Sequence, residues 1–157
     1  MIQSPLLDPL ASGTWVQVRD GNRTAAQLYD RHYSRNPRCV GDPRIAGPGE
    51  KLLLMTPCER ALIVFRRFRS KDPTASLDDI NVAIFRNEGA GRSSDLIRSA
   101  VEVARMRWPA ARRYYTYVNP RRVRSTNPGC CFKRAGWRVC GQTKTRKLTI
   151  LELRLEA

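Results

Sequence analysis

The stretch FRNEGAGRSSD, residues 85–95, joins two segments of opposite pattern and organises the rest of the chain around it. Residues 79–85 are largely apolar and predict a strand. Downstream of the stretch the apolar residues recur at helical spacing; they are Leu96, Ile97, Ala100, Val101 and Ala104. A glycine-rich turn between a strand and a helix presents backbone N–H groups and the positive end of the helix dipole to an anion. The sequence therefore predicts a phosphate-binding turn here, with an ordinary strand–helix connection as the alternative.

The remaining elements follow outward from this turn. Residues 1–13 are expected to be a lead-in, and residues 14–157 a single domain, a length that buries a sizeable core. The predicted order is β-α-β-β-β-α-β-α-β-β. The predicted strands are 14–19, 51–56, 60–69, 79–85, 113–118, 137–140 and 147–155. The predicted helices run from Asn22 or Thr24 to about Tyr33, from a cap at Ser93 or Ser94 to just before Pro109, and over 130–135, with a long loop at 36–49.

The charge is unusually positive and unevenly spread. The chain has 29 Lys and Arg against 14 Asp and Glu, a formal net charge of +15. Residues 105–147 hold 13 of the basic residues and no acidic one, and arginine outnumbers lysine 24 to 5 in the whole chain. Arginine binds phosphate through a planar fork, so the block predicts a polyanionic partner, a nucleic acid. A surface facing only a phosphate-bearing cofactor is the alternative.

The sequence gives little support for a membrane protein, a disulfide-stabilised protein or a metal site. The apolar runs are much shorter than the roughly 20 residues that span a bilayer, and the first residues lack a basic cluster typical of an export signal. The five cysteines have no paired spacing, and His32 is the one histidine. We expect reduced, mainly buried cysteines, no metal site, no membrane partner and a cytoplasmic location, in a host bacterium if the protein is phage-encoded.

Residues 86–91, RNEGAG, resemble the R/Q-x-x-G-x-G/A loop of the GNAT (GCN5-related N-acetyltransferase) superfamily. Asn119 followed by residues 131–137 is similar to that family's second block. The resemblance implies a mixed α/β (α+β) fold with a mostly antiparallel sheet of about six or seven strands flanked by helices. It also implies acetyl-coenzyme A, or a related acyl or aminoacyl donor, as cofactor. The donor-binding residues it implies are Arg86, Asn87, Gly89, Ala90, Gly91, Arg92, Ser93, Ser94 and Asn119.

A narrower set of motifs resembles the Mom-type DNA-modification proteins of bacteriophages. These motifs are His32-Tyr33-Ser34, residues 85–89 with Ser93-Ser94, residues 117–120, and residues 124–129. The resemblance implies an enzyme that modifies a DNA base, adenine in the founding member, with a small acyl-derived group that protects phage DNA from restriction. An N-acetyltransferase acting on a small amine or a protein lysine is the alternative. A non-enzymatic DNA-binding module on the same fold is a third reading.

One position departs from the GNAT pattern. Many of those enzymes have a tyrosine four residues before the Gly-aromatic pair, which protonates the departing thiolate, whereas this chain has Phe132. Phenylalanine cannot donate a proton. Either Cys131, Ser125 or Tyr117 replaces it, or the donor is not released as a simple thiolate. An aminoacyl donor and a metal-assisted step, including one with iron, stay open.

The candidate catalytic residues are His32, Tyr33, Ser34, Glu88 and Ser125. Histidine titrates near neutrality and so suits proton transfer, although a histidine at a helix end also serves as a simple hydrogen-bonding group. Glu88, the acid inside the glycine loop, is a candidate base or amine-positioning group, with a solvent-facing glutamate as the alternative. Tyr33 is equally a core candidate, and Ser34 and Ser125 are also typical turn residues.

The candidate DNA contacts are basic side chains near strand ends; they are Arg66, Arg67, Arg112, Arg113, Arg121, Arg122, Arg124, Lys133 and Arg134. Tyr114, Tyr115 and Tyr117 are candidates for stacking on an extruded base, but alternating aromatics on a strand more often form core. Phosphate contacts would make DNA binding fall steeply with salt. A homodimer is a further possibility.

Overall fold

The computed structural model describes residues 14–69, 75–76, 78–123 and 127–155, and these form one sheet with helices on both faces. The elements, in chain order, are β1 (Val16–Val18), α1 (Arg23–Asp30), a 3-10 turn (Pro37–Cys39), β2 (Glu50–Met55), β3 (Ala61–Arg67), β4 (Ile80–Asn87), α2 (Ser93–Arg107), β5 (Arg113–Val118), α3 (Cys130–Arg134), β6 (Arg138–Gln142) and β7 (Thr149–Arg154). The predicted order of strands and helices is confirmed.

The sheet has seven strands in the order β1-β2-β3-β4-β5-β7-β6. Within the described residues β4 and β5 are the single parallel pair, and every other neighbouring pair is antiparallel. The mixed, mostly antiparallel sheet of about six or seven strands is therefore confirmed. A parallel pair needs a long crossover connection, which α2 provides between these two strands.

Strand alternation builds two cores, one on each face of the sheet. On one face Leu52 and Leu54 pack with the apolar side of α2, including Ile97 and Ala100. On the other face Leu53 and Met55 pack with α1, through Ala25 and Leu28. The sheet is thus covered on both sides.

An irregularity in β4 separates it from β5. The register with β3 pairs Ile84 with Val64 but Val82 with Phe65, so Ala83 is an extra residue that forms a bulge. The parallel ladder with β5 covers only Ile80–Val82. Beyond these residues the two strands no longer pair, and a cavity opens between them.

Helix α1 ends earlier than the sequence predicts. Its N-cap is Asn22, whose side chain accepts a hydrogen bond from the Ala25 N–H at 3.0 Å, as expected. The helix ends at Asp30, however, because the side chain of Arg35 binds Asp30 at 3.0 Å and the carbonyls of Cys39 and Asp42, which turns the chain away. His32 and Tyr33 consequently lie in a tight turn after the helix.

Two further expectations are wrong. Neither Ser93 nor Ser94 caps α2: the N-cap is Arg92, with no side-chain capping bond, because Ser93 instead bonds to Asn87. The cysteines are free, but Cys58 and Cys140 are exposed and the other three are half-buried, so none is fully buried, although Cys131 packs against the core. Asp95 does lie in the first turn of α2, where its charge complements the helix dipole.

Candidate active site

The cavity between the diverging ends of β4 and β5 has a volume of about 350 Å³. Its walls come from α1 and the turn after it, from β4, from β5 and from α3. The lining includes His32, Tyr33, Ser34, Phe85, Tyr117, Asn119, Arg122, Cys131, Phe132 and Arg146. The fold thus brings the predicted catalytic turn and Asn119 to one cavity. No carboxylate belongs to the described residues that line it.

The glycine loop after β4 is held open by one side chain. The Asn87 Oδ1 accepts hydrogen bonds from the N–H groups of Gly89 and Ala90, and its Nδ2 donates to the Gly91 carbonyl and to the Ser93 Oγ, each at 2.8 Å. With all these contacts inside the loop, Asn87 is a positioning residue here. A direct contact between Asn87 and the donor stays a prediction.

The shape of this loop fits a bound pyrophosphate. Gly89 and Gly91 have φ values of +100° and +145°, which side chains rarely adopt, and a Cβ on either would meet only open space. The N–H groups of Gly91, Arg92 and Ser93 have no hydrogen-bond partner among the described residues. They lie at the amino terminus of α2, where the dipole favours an anion. Ser94 is buried, so its side chain lies beneath this surface.

Glu88 is an ion-pair bridge rather than a base, which corrects the expectation from the sequence. Its carboxylate accepts hydrogen bonds from Arg31 at 2.7 and 2.9 Å and from Arg86 at 3.0 Å. The hydrogen bond from Arg31, helped by Arg86, lowers the pKa of Glu88 to about 2. A carboxylate this acidic does not take up a proton at neutral pH. Instead it ties the turn after α1 to the glycine loop.

His32 and its neighbours form a compact hydrogen-bonded group on the cavity wall. The His32 Nδ1 lies 2.7 Å from the Ser34 Oγ and accepts the Ser34 N–H at 3.1 Å, and its ring stacks on Tyr33 with 4.5 Å between centroids. The Tyr33 hydroxyl accepts the backbone N–H of Asn119 at 3.3 Å. Because that oxygen accepts, the hydroxyl's own proton is available to another group in the cavity.

The pKa of His32 lies well below its ordinary value, at about 4, because burial disfavours the imidazolium and the charge of Arg86 opposes it as well. His32 is therefore neutral at pH 7, and its Nε2 carries the proton if Nδ1 accepts from Ser34.

This shift predicts a pH dependence of stability. Between pH 6.5 and about 4 the unfolded chain takes up a proton at His32 while the folded chain does not, so the folded state loses stability as the pH falls. The loss is on the order of 3 kcal/mol. Urea unfolding of wild type and His32→Gln at pH 7 and pH 4.5 measures it: the difference between the two proteins is expected to change with pH. Parallel pH profiles would contradict the shifted pKa.

An aromatic cluster around Phe132 holds α3 against the cavity wall. Phe132 packs edge-on against Phe85 and Trp137, with centroids 5.9 and 4.9 Å away, and it is buried. Of the residues expected to replace the missing tyrosine, Tyr117 and Cys131 line the cavity, and burial raises the pKa of Cys131. Ser125 lies outside the described residues. Tyr33 joins these candidates because its hydroxyl is held at the end of β5.

The residues expected to bind DNA, eight arginines and Lys133, differ in their exposure and in their partners. Arg112, Arg121, Arg122, Lys133 and Arg134 are exposed, and their contact with DNA stays a prediction. For Arg113 the expected contact with DNA is wrong, because its side chain is 5% exposed and forms ion pairs with Glu152 at 2.6 Å and Asp79 at 3.0 Å. Arg67 is paired with Glu50 and Asp78, and Arg66 is half-buried. Arg124 lies outside the described residues.

The three tyrosines of β5 differ in burial. Tyr114 and Tyr115 are fully buried, which confirms the core interpretation for Tyr115, whereas Tyr117 is half-buried and lines the cavity. Arg146 is a cavity residue that the sequence did not single out. It lies in the turn between β6 and β7, and its only signal was its membership of the acid-free block.

At the level of sequence, neither a known protein family nor a curated relative matches the chain. Solved structures do. They include the GNAT domain of S. lividans PAT, with a TM-score of 0.57 and 16% identity over 90% of this chain and 89% of that one. The ribosomal-protein-S18-alanine N-acetyltransferase from Escherichia coli has a TM-score of 0.56 and 11% identity over 92% and 94%. Campylobacter jejuni PseH, in complex with acetyl coenzyme A, has 0.56 and 9% over 90% and 99%.

The chain has the GNAT acetyltransferase fold. At these identities the likeness concerns the fold alone, and the narrower resemblance to Mom-type proteins has no support in the comparisons. Within the described residues, no group of three or more His, Cys, Asp or Glu side chains is arranged to hold a metal ion. None of the described helices is long and apolar enough to cross a membrane.

Proposed function

We propose that the protein is an acyl-coenzyme A-dependent acyltransferase that acylates a nitrogen of a base in double-stranded DNA. The observation that carries the acceptor class is the cavity: it adjoins the anion-binding loop, and the described lining contains Arg122 and Arg146 but no carboxylate. A cationic amine would meet like charge there without a counter-ion, which disfavours its binding. An uncharged nitrogen on a polyanionic strand avoids this repulsion and gains from the basic surface.

The glycine loop supplies the donor end of the site. The open N–H groups of Gly91, Arg92 and Ser93 would hold the pyrophosphate of an acyl-coenzyme A, with Asn87 fixing the loop. The bound donor supplies an activated acyl thioester. Tyr33, Tyr117 and Asn119 lie in the cavity where β4 and β5 part, so the acyl group is expected to face them.

The turn after α1 supplies the proton-handling groups. The attacking nitrogen becomes acidic as its bond to the acyl carbon forms, so a weak base suffices. Neutral His32 would take up that proton through Ser34, whose Oγ lies 2.7 Å from the His32 Nδ1: the Oγ accepts the proton of the attacking nitrogen and passes its own to Nδ1. The Tyr33 hydroxyl, held by the Asn119 N–H, keeps its proton available for a departing thiolate. Glu88 acts through Arg31 by holding this turn against the glycine loop.

The test is acyl transfer followed at the level of nucleosides. Purified protein is incubated with duplex DNA and acetyl- or propionyl-coenzyme A, and the DNA is digested for mass spectrometry. We expect one nucleoside to gain the mass of the acyl group supplied, and Tyr33→Phe to slow the transfer by roughly 100-fold if the hydroxyl acts as a general acid. Unmodified nucleosides with every donor would contradict the proposal.

A second candidate is N-acetylation of a protein or small-molecule amine. It is favoured by the neighbours in fold, which include the ribosomal-protein-S18-alanine N-acetyltransferase and the NatC complex bound to Gag peptide and CoA, the latter with a TM-score of 0.54 and 11% identity. The same reactions run with a peptide library and with polyamines in place of DNA separate the two. Acetylated amines together with unmodified DNA would favour this second candidate.

A further inference from the structure

A second pocket of about 260 Å³ lies beside the candidate active site. It is formed by Tyr29 of α1, the loop at 45–47, Arg66 and Phe68 at the end of β3, residues 81–84 of β4, and Tyr117. Tyr29, Ala83 and Tyr117 line both cavities. Because these residues are shared, a molecule in the second pocket would lie next to the cavity lined by His32 and Tyr33. The shared strand residue, Ala83, is the small bulged residue of β4.

The charged group of this pocket, the guanidinium of Arg66, has no counter-ion among the residues that the structure describes. Arg66 has a buried Nε without a hydrogen-bond partner, and its guanidinium forms no ion pair with any described residue. Its neighbour Arg67, in contrast, is paired with Glu50 and Asp78 at 2.9 and 3.1 Å. Burial lowers the pKa of Arg66. An arginine fork without a carboxylate partner can form charge-assisted hydrogen bonds to acceptor atoms of a ligand.

The Arg66 guanidinium is held in place by packing contacts. It stacks on the Phe68 ring, 3.9 Å from the centroid, and lies so close to Gly47 that a Cβ there would collide with it. Gly47 has a φ of +73°, so glycine both permits the turn and leaves room for Arg66. The position of the fork is thus set by the loop and the ring.

The other walls suit a flat ring. Tyr29, Phe68 and Tyr117 are aromatic, and Val82, Ile84 and Ile45 add apolar surface. Asn81 also lines the pocket, and its Nδ2 is held by the Tyr115 carbonyl at 3.4 Å, which leaves its amide oxygen as an acceptor. The pocket thus combines aromatic and apolar side chains with two placed polar groups, the Arg66 fork and the Asn81 amide, a combination that is typical of ligand sites.

We propose that this pocket is the acceptor subsite and takes a single extruded nucleobase, with the Arg66 fork donating to acceptor atoms on the edge of the base and the aromatic residues replacing the lost stacking. Arginine reads purine acceptors in this bidentate way, and enzymes that modify a base in a duplex must extrude it into such a pocket. The proposal rests on the proposed function because it names where the acceptor base lies.

The test measures binding apart from catalysis. The four deoxynucleoside 5′-monophosphates and 2-deoxyribose 5-phosphate are titrated calorimetrically into wild type, Arg66→Met, Arg66→Lys and the control Arg105→Met. Arg105 is an exposed residue of α2, on the other face of the sheet, paired with Glu102. We expect at least one nucleotide to bind, and Arg66→Met and Arg66→Lys to weaken it by about 10- to 100-fold, since a bidentate pair is worth roughly 1–3 kcal/mol. Arg105→Met and acetyl-coenzyme A binding are expected to be unchanged.

Three results would overturn the subsite: no nucleotide binds, the Arg66 variants bind nucleotides like wild type, or the sugar phosphate binds as tightly as the nucleotides. Thermal unfolding of each variant shows whether a loss reflects misfolding, and Arg66→Lys keeps the charge as the milder change. Arg66-dependent nucleotide binding without base acylation would support the pocket and overturn the proposed function. Base acylation with an unchanged KM for DNA in Arg66→Met would support the proposed function and overturn the pocket.

Discussion

Replacement of Gly89 by glutamate is expected to lower the affinity for acetyl-coenzyme A by at least about 100-fold, because like charges placed together cost several kcal/mol. The residue has a φ of +100°, and its side chain would enter the open space above the loop. A carboxylate there meets the pyrophosphate that the unpaired N–H groups of residues 91–93 would otherwise bind. Calorimetric titration of acetyl-coenzyme A measures the loss.

Gly41→Glu is a matched control for this variant. Gly41 has a φ of +92°, and a Cβ there also meets nothing within 4 Å, but it lies in the 36–49 loop away from α2. Both substitutions are expected to cost about 1–2 kcal/mol of stability from backbone strain. Only the Gly89 variant is expected to lose donor binding. Equal donor affinity in the two variants would contradict the assignment of the glycine loop as the pyrophosphate site.

Replacement of Arg113 by methionine is expected to lower the free energy of unfolding by about 3–5 kcal/mol, because it removes the buried arginine that pairs with both Glu152 and Asp79. The Glu152 side chain is 5% exposed and that of Asp79 is 13% exposed. Although burial opposes the charged form, the hydrogen bonds from Arg113 and Arg154 lower the pKa of Glu152. The shift in Tm, measured by thermal unfolding, is expected to be roughly 10 °C.

The neighbouring residue provides the comparison. Arg112 is exposed, and its side chain donates to no described residue other than the Pro109 carbonyl, so Arg112→Met is expected to change stability by less than about 0.5 kcal/mol. The double variant Arg113→Met with Glu152→Met is expected to recover part of the loss, because an apolar pair replaces the Arg113–Glu152 ion pair while Asp79 still lacks its arginine. Similar Tm values for Arg113→Met and Arg112→Met would show that the buried ion pairs contribute little.

Local pattern was sufficient for the elements but not for the role of each charged residue. The spacing of apolar residues after residue 95 predicts α2, and the Asn22 cap begins α1, because both depend on neighbours within a few positions. Arg112 and Arg113 are adjacent and chemically alike in sequence, yet one is exposed and the other is buried against Glu152, 39 residues away. No local signal distinguishes them. The same reason explains Glu88, whose partner Arg31 is 57 residues away.

The sequence alone determined the strand–loop–helix stretch around residues 85–95, the order of elements and the excess of arginine, since these are set by composition and short-range pattern. Tertiary structure decided where that stretch meets the rest of the chain. The β4 bulge at Ala83 opens the cavity, and the Tyr33–Asn119 contact joins residues 86 positions apart. It also decided that Arg66 faces a pocket while Arg67 is paired. Such choices depend on strand pairing and burial, which bring distant residues together and are not encoded in local spacing.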